Sequence, residues 1–330
     1  MGGDNAPAEM VKAAHMAVKQ YPHIEVVLFG RKDDIDRHLP SQHDRIKIVH
    51  CEDVIPMDVE DPALAIRRQK ESSLVVASKA VKNKEVDALV TSGATGALIA
   101  AGTLIIKRLK SVERPALAPL LPTIKKGAST LLCDAGATSE AKASYIYQNA
   151  KLADVYAKEV LGIQKPTIGL LNIGTEDSKG GVEQQEAFAL LKNDPSLHFL
   201  GNIESKSMIS GDVDIIVADG YSGNIALKAV EGTAKDLASL LKSEIMSSKR
   251  GLIGALLIKK SINNIKEIVN PKTVGGAILL GINAPVIKSS GSSDAETFMY
   301  AIAHAKKAVE MDVVNKIDAA LLAAKENALA

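Results

Sequence analysis

Ile215-Ile216-Val217, followed by Ala218-Asp219-Gly220-Tyr221-Ser222-Gly223-Asn224, decides the fold. A β-branched apolar run ends in a small, glycine-rich polar turn and gives way to a helical pattern over residues 225–248. The same sequence of events occurs three more times. Residues 86–90 precede Thr91-Ser92-Gly93-Ala94-Thr95-Gly96, and residues 131–133 precede Asp134-Ala135-Gly136-Ala137. Residues 168–171 precede Asn172-Ile173-Gly174-Thr175-Glu176-Asp177-Ser178-Lys179-Gly180. Repeated strand-turn-helix units predict an α/β fold around a mostly parallel sheet. In a parallel sheet such turns gather at the carboxyl ends of the strands, where helix N-termini aim unpaired N–H groups and partial positive charge into a crevice. An anion is expected there.

Outward from these turns the alternation continues. Residues 9–20 and 32–38 read as helices, and 25–29 and 46–50 as strands; 63–83 reads as one helix and 97–109 as a helix of small residues. Residues 114–119 read as an extended connector, because each of its prolines pushes the preceding residue away from α geometry, and a strand follows near Leu120. Helices are expected over 144–161 and 182–192, with strands at Thr167, His198 and Asp214. No Pro, Gly and Ser-rich linker divides the chain, so residues 1–330 are expected to form a single α/β domain with a helical protrusion at about 235–270. A Gly-Gly-Asp turn usually follows a strand, and the opening Met1-Gly2-Gly3-Asp4 therefore suggests a strand upstream.

Composition narrows the function. A net charge of +1 gives no bulk reason to bind nucleic acid. Two cysteines, Cys51 and Cys133, supply neither a disulfide framework nor a Cys-based zinc site, and a reducing, cytoplasmic compartment is expected. The seven histidines form no paired-ligand motif, so neither a metal nor a cofactor is expected. No apolar run is long enough to span a bilayer, and no secretory leader is read.

GxxxxGK[ST] and GxGxxG are both absent, which weighs against an ordinary P-loop kinase and a standard dinucleotide site. GxxG occurs twice, at Gly93/Gly96 and Gly220/Gly223, where each pair would let backbone amides close on a ligand oxygen, with Ser92, Thr95, Ser222 and Asn224 beside them. A tight βα turn without a ligand reads the same way. Lys179, among Glu176, Asp177 and glycines, is either an arm reaching the anion or a solvated lysine. Asp219 and Asn224 open a long helix, either as an oxyanion-stabilising N-terminus or as a simple cap. Cys133 beside Asp134 reads as a buried structural thiol, because a neighbouring carboxylate disfavours thiolate, so no covalent enzyme intermediate is expected.

Residues 251–269 combine Leu252, Ile253, Leu256 and Leu257 with Lys259 and Lys260, a pattern that suits either a membrane interface or a dimer. Arg67 and Arg68, with Lys249 and Arg250, offer local positive charge to an acidic partner or simply face solvent.

Several stretches together resemble the phosphate acyltransferase family of bacterial phospholipid synthesis. They are Met1-Gly2-Gly3-Asp4-Asn5-Ala6-Pro7, Arg67-Arg68 with Ser72-Ser73, Arg114-Pro115-Ala116-Leu117-Ala118-Pro119, Gly169-Leu170-Leu171-Asn172-Ile173-Gly174-Thr175-Glu176 and Asp219-Gly220-Tyr221-Ser222-Gly223-Asn224. The resemblance implies a Rossmann-like three-layer sandwich similar to phosphate acetyltransferases and isocitrate dehydrogenase-like enzymes. It also implies acyl transfer from an acyl carrier protein thioester to inorganic phosphate. A homodimer peripherally associated with the inner face of the membrane is implied too. The chain departs from the family pattern at Ala94, Thr138 and Ser290.

On this reading Lys179 and Asn224 are catalytic. Phosphate and substrate fall to Asp4, Asn5, Ser92, Gly93, Thr95, Gly96, Asp134, Asn172, Gly174, Glu176, Asp219, Gly220, Ser222 and Gly223. Arg67, Arg68, Lys249 and Arg250 would hold the carrier protein, and Leu252, Ile253, Leu256 and Leu257 would meet lipid. The alternatives are a soluble phosphotransacylase using short acyl-CoA and an inactive, membrane-associated scaffold that binds the carrier protein.

Overall fold

The computed structural model describes residues 1–39, 43–268 and 275–329. Its central strands are apolar on both faces, as strands covered by helices on either side must be. Leu131 and Cys133 of β5 (Ser129–Cys133), Ile168 and Leu170 of β6 (Thr167–Asn172), and Ile215 and Val217 of β8 (Ile215–Val217) face one core. That core is closed by Ile146, Ala150 and Ala153 of α6 (Ala143–Tyr156). The alternate residues Leu132, Leu171 and Ile216 face the opposite core, closed by Leu227 of α8 (Gly220–Met246). Alternation at period two thus builds three layers.

Eight strands form the large sheet, in the order β3-β10-β9-β4-β5-β8-β6-β7. The remaining members are β3 (Leu89–Thr91), β4 (Ala116–Pro122), β7 (His198–Glu204), β9 (Ala277–Leu280) and β10 (Val286–Lys288). β1 (Val26–Gly30) and β2 (Ile46–His50) pair in parallel as a separate two-stranded sheet. A cavity of about 480 Å³, lined by Val27 and Phe29 on one side and Leu89 and Val90 on the other, lies between β1 and β3.

Within the large sheet, β3 and β10 run parallel, as do β5, β8, β6 and β7, while β9 and β4 join the two groups through antiparallel pairs. The register puts Thr91 opposite Lys288, Lys288 opposite Ala277, and Ala277 opposite Pro119. From the other side Leu120 lies opposite Leu131, and Ala135 N–H donates to Leu117 O at 2.8 Å. The carboxyl ends of β3 and β10 therefore meet those of β5 and β8 from opposite directions, over the middle of β4. The sheet is mostly parallel, as expected, but its glycine-rich turns approach from two directions and do not all gather along one edge.

Residues 116–119 of the expected connector are the first half of β4. Residues 116–119 pair with β9 and residues 120–122 with β5, so Pro119 stands where the strand changes partner and its missing N–H is tolerated. The expected helix 63–83 is two helices, α3 (Pro62–Arg68) and α4 (Ser73–Lys82), because Ser72 takes extended geometry and bridges to Asp53. α3 begins at Pro62, with the Asp61 carboxylate accepting from Leu64 N–H at 2.9 Å.

The far part of α8 leaves the body of the molecule and continues into α9 (Lys249–Leu257) and α10 (Lys259–Ile268). Leu237, Leu240, Leu241, Leu252, Ile253, Leu256 and Leu257 are all exposed on this arm. Val269, the end of the amphipathic stretch read from sequence, lies outside the described residues. Among the described residues no helix is long and apolar enough to cross a membrane.

Candidate active site

Two helix N-termini and two loops converge over β4. From one side, α5 (Thr95–Ala101) follows the turn that leaves β3, where Thr91 Oγ1 accepts from Gly93 N–H at 3.0 Å and Ser92 is buried. The segment 2–5 packs on this turn: a side chain at Gly3 would collide with the Ser92 hydroxyl. Asp4 N–H donates to Gly291 O at 2.9 Å, and the Asn5 amide donates to the carbonyls of Ser292 and Ser293 at 3.2 and 3.3 Å. The loop 289–293 is closed by Ser289 and Ser293, whose hydroxyls lie 2.8 Å apart.

From the opposite side, Asp134 organises the turn after β5. Its Oδ1 accepts from the N–H groups of Leu117, Gly136 and Ala137 at 2.8, 3.0 and 2.9 Å, and its Oδ2 accepts from Thr138 N–H at 2.9 Å. Burial pushes its pKa up to about 6 against the pull of these four donors. The N-terminus of α8 rests directly on this turn. A Cβ at Gly223 would collide with Asp134 O, and one at Gly220 with Thr138 O. The GxxG at 220–223 therefore serves close packing of helix on turn. Asp219 caps α8, its Oδ1 accepting from Ser222 N–H at 2.8 Å and its Oδ2 from the Gln184 amide at 3.3 Å. Asn224 is exposed one residue beyond, its amide lying over Gly136.

Other sequence candidates lie at the end of β6, in the loop after it, or on the surface. Asn172 donates to Lys179 O and Asn202 Oδ1 and accepts from Ile173 N–H, fixing the loop after β6. Glu176 O accepts from the Asn202 amide at 2.7 Å. Lys179 curls over Gly174, its ammonium 3.8 Å from the Glu176 carboxylate, and is 43% exposed. Arg67 and Arg68 project into solvent from α3, which packs on α5, whereas Lys249 and Arg250 open α9 on the arm, away from these turns. Cys51 and Cys133 are both free and buried, and burial raises the Cys133 thiol pKa well above its usual range. Among the described residues no three His, Cys, Asp or Glu side chains cluster as a metal site.

Sequence reasoning passed over Lys288. It is the last residue of β10, only 8% exposed, and its ammonium donates to Ser92 O at 3.4 Å and to Ser289 O. Burial, with Lys228 of α8 facing it, lowers its pKa to about 8, against a smaller upward pull from Asp4. The signal was present: Val286-Ile287-Lys288 is a further apolar run ending at a polar turn, Ser289-Ser290-Gly291-Ser292-Ser293.

A family model described as "Fatty acid synthesis protein" matches residues 1–316. The chain belongs to that family. A phosphate acyltransferase of Geobacillus thermodenitrificans is 43% identical over 321 residues, covering 97% of this chain and 97% of the relative. That of Streptococcus uberis is 43% identical, with 97% and 95% covered. Among solved structures, a phosphotransacetylase from Streptococcus pyogenes superposes with a TM-score of 0.59 at 16% identity, over 95% of this chain and 92% of the other. EutD phosphotransacetylase from Staphylococcus aureus gives 0.57 at 14%, over 94% and 91%. These structural matches establish a shared fold, as the Rossmann-like reading expects.

Proposed function

We propose that this member of the fatty acid synthesis protein family transfers a fatty acyl group from an acyl carrier protein thioester to inorganic phosphate, giving acyl phosphate. The observation that carries the reading is the convergence of the α5 and α8 N-termini from opposed half-sheets over one crevice. Unpaired N–H groups from two directions suit a substrate that brings negative charge at the start and develops more during reaction.

A phosphate oxygen attacks the thioester carbon, a C–O bond forms, and the C–S bond breaks from the tetrahedral intermediate. The thiolate leaves and takes a proton from solvent; with a thiol pKa of about 8.5 it needs no strong acid. Asn224 and the first amides of α8 stabilise the oxyanion, while Lys179 steers phosphate at the rim. Ser92, Thr95 and the 220–223 turn line the approach. Positioning and electrostatics supply most of the acceleration.

The finer assignments follow from surface chemistry. Arg67 and Arg68 stand on the helix beside α5 and suit an acidic carrier protein. Leu256 and Leu257, 73% and 82% exposed, with Lys259 and Lys260 next to them, suit a homodimer that lays its arm tips on the inner face of the membrane. The body of the chain forms one catalytic domain from which this arm projects.

The deciding experiment mixes the protein with long-chain acyl carrier protein and follows thiol release with and without inorganic phosphate. Phosphate-dependent release with stoichiometric acyl phosphate supports the reading. Carrier binding without release would sink it in favour of a scaffold, and turnover confined to short acyl-CoA would make the chain a soluble phosphotransacylase.

A further inference from the structure

We infer that Lys288 is the inner anchor of the anion site, binding one phosphate dianion between the turn after β3 and the N-terminus of α8. The inference rests on the crevice described above and assigns its ligand to a residue outside the sequence motifs.

A lysine ammonium is rarely buried without a counter-charge, because removing it from water costs several kcal/mol. Lys288 is buried, yet among the described residues its only hydrogen-bond acceptors are two backbone carbonyls, Ser92 O and Ser289 O, and it forms no ion pair. An ammonium has three donors, so one remains. Two charged groups face it. Asp4, from the segment preceding α1 (Ala8–Gln20), attracts it across more than ion-pair distance, and Lys228, from α8, repels it. Lys228 is itself held by Glu231 at 2.6 Å. A buried ammonium with a donor to spare beside the turn after β3 is an unfavourable arrangement that a bound dianion converts into a favourable one. Lys288 suits this better than Lys179, whose ammonium is half in solvent and near its own carboxylate.

A purely structural lysine, pinning β10 to the turn after β3, makes the same two carbonyl bonds, so the test must separate the roles. Inorganic phosphate is titrated into the protein alone, by calorimetry and by thermal shift, for wild type, Lys288→Met and Lys288→Arg. Lys288→Met should weaken phosphate binding by roughly ten-fold or more, and raise the KM for phosphate while leaving that for acyl carrier protein unchanged. Lys288→Arg should recover part of the affinity. Unchanged phosphate affinity in a folded Lys288→Met, or equal losses for both substrates, would overturn the assignment.

If Lys288→Met fails to fold, Lys288→Gln, which keeps a donor toward Ser92 O without the charge, takes its place: a folded Lys288→Gln should lose phosphate affinity by a similar factor, and unchanged affinity would overturn the proposal. Phosphate binding lost in Lys288→Met by a protein that never releases thiol would uphold the anchor and sink the acyltransferase reading. Normal acyl phosphate formation by Lys288→Met with an unchanged KM would do the reverse.

Discussion

Asp134 directs both carboxylate oxygens at its own turn, which changes what a carboxylate at this position can do. With four N–H donors on it, three at Oδ1 and one at Oδ2, it acts as a positioning residue whose carboxylate is largely committed to the backbone around it. Asp134→Asn would set an amide donor against one of those N–H groups, and should destabilise the protein by about 1–3 kcal/mol. Urea unfolding measures this, and an unshifted midpoint would remove the role. Asn224 is the opposite case, exposed at the mouth, its side-chain amide making no hydrogen bond among the described residues, while Asp219 supplies the helix cap. Asn224→Ala should therefore leave unfolding unchanged and lower kcat by roughly 10²-fold or more if it donates to the oxyanion. Retained turnover would assign the whole task to the α8 backbone.

Among the elements, the arm is the one whose exposed face the body of the protein does not explain. Replacing Leu256 and Leu257 together by Glu removes apolar surface and adds charge where the arm would meet lipid. Flotation with vesicles containing anionic phospholipid should fall to background, while thiol release in solution stays within about two-fold of wild type, because neither side chain lies near the crevice. Persistent flotation would move the contact elsewhere.

Elements also show where sequence was legible. β2 and α7 (Val182–Lys192) fall at the residues expected, because their period and end signals are local. β4 did not, since its prolines mark a connector until the change of partner at Pro119 is seen, and α3 and α4 were merged because the Asp53–Ser72 bridge is a tertiary contact. The glycines at 220 and 223 were visible, but their reason was not. A cradle and a close packing contact look alike until the neighbour is known. Lys288 was missed for a related cause: three residues of strand carry little periodic signal, and burial of a lysine cannot be read from its letter.

For the molecule as a whole, acid should be destabilising in an identifiable step. His304 of α11 (Ala295–Glu310) sits between Tyr156 OH and Gly275 O, and burial lowers its pKa to about 4. The unfolded chain protonates this ring below about pH 6.5 while the folded one does not. Stability from this group is thus whole above pH 6.5 and lost as pH falls toward 4, by about 3 kcal/mol at most. His304→Gln should flatten that part of the curve in urea titrations at successive pH values. An unchanged slope would place the loss on other groups.

The opposed half-sheets have one more consequence, for ionic strength. Where helix ends and a buried ammonium hold the anion, mobile ions cannot enter between the charges, whereas Arg67 and Arg68 lie open to them. Raising potassium chloride from about 0.05 to 0.5 M, across which the Debye length shrinks to a few ångströms, should weaken capture of the carrier protein several-fold and barely alter the affinity for phosphate. Such a chain, nearly neutral overall, would tell its two substrates apart by how far each must come out of the salt solution to be bound.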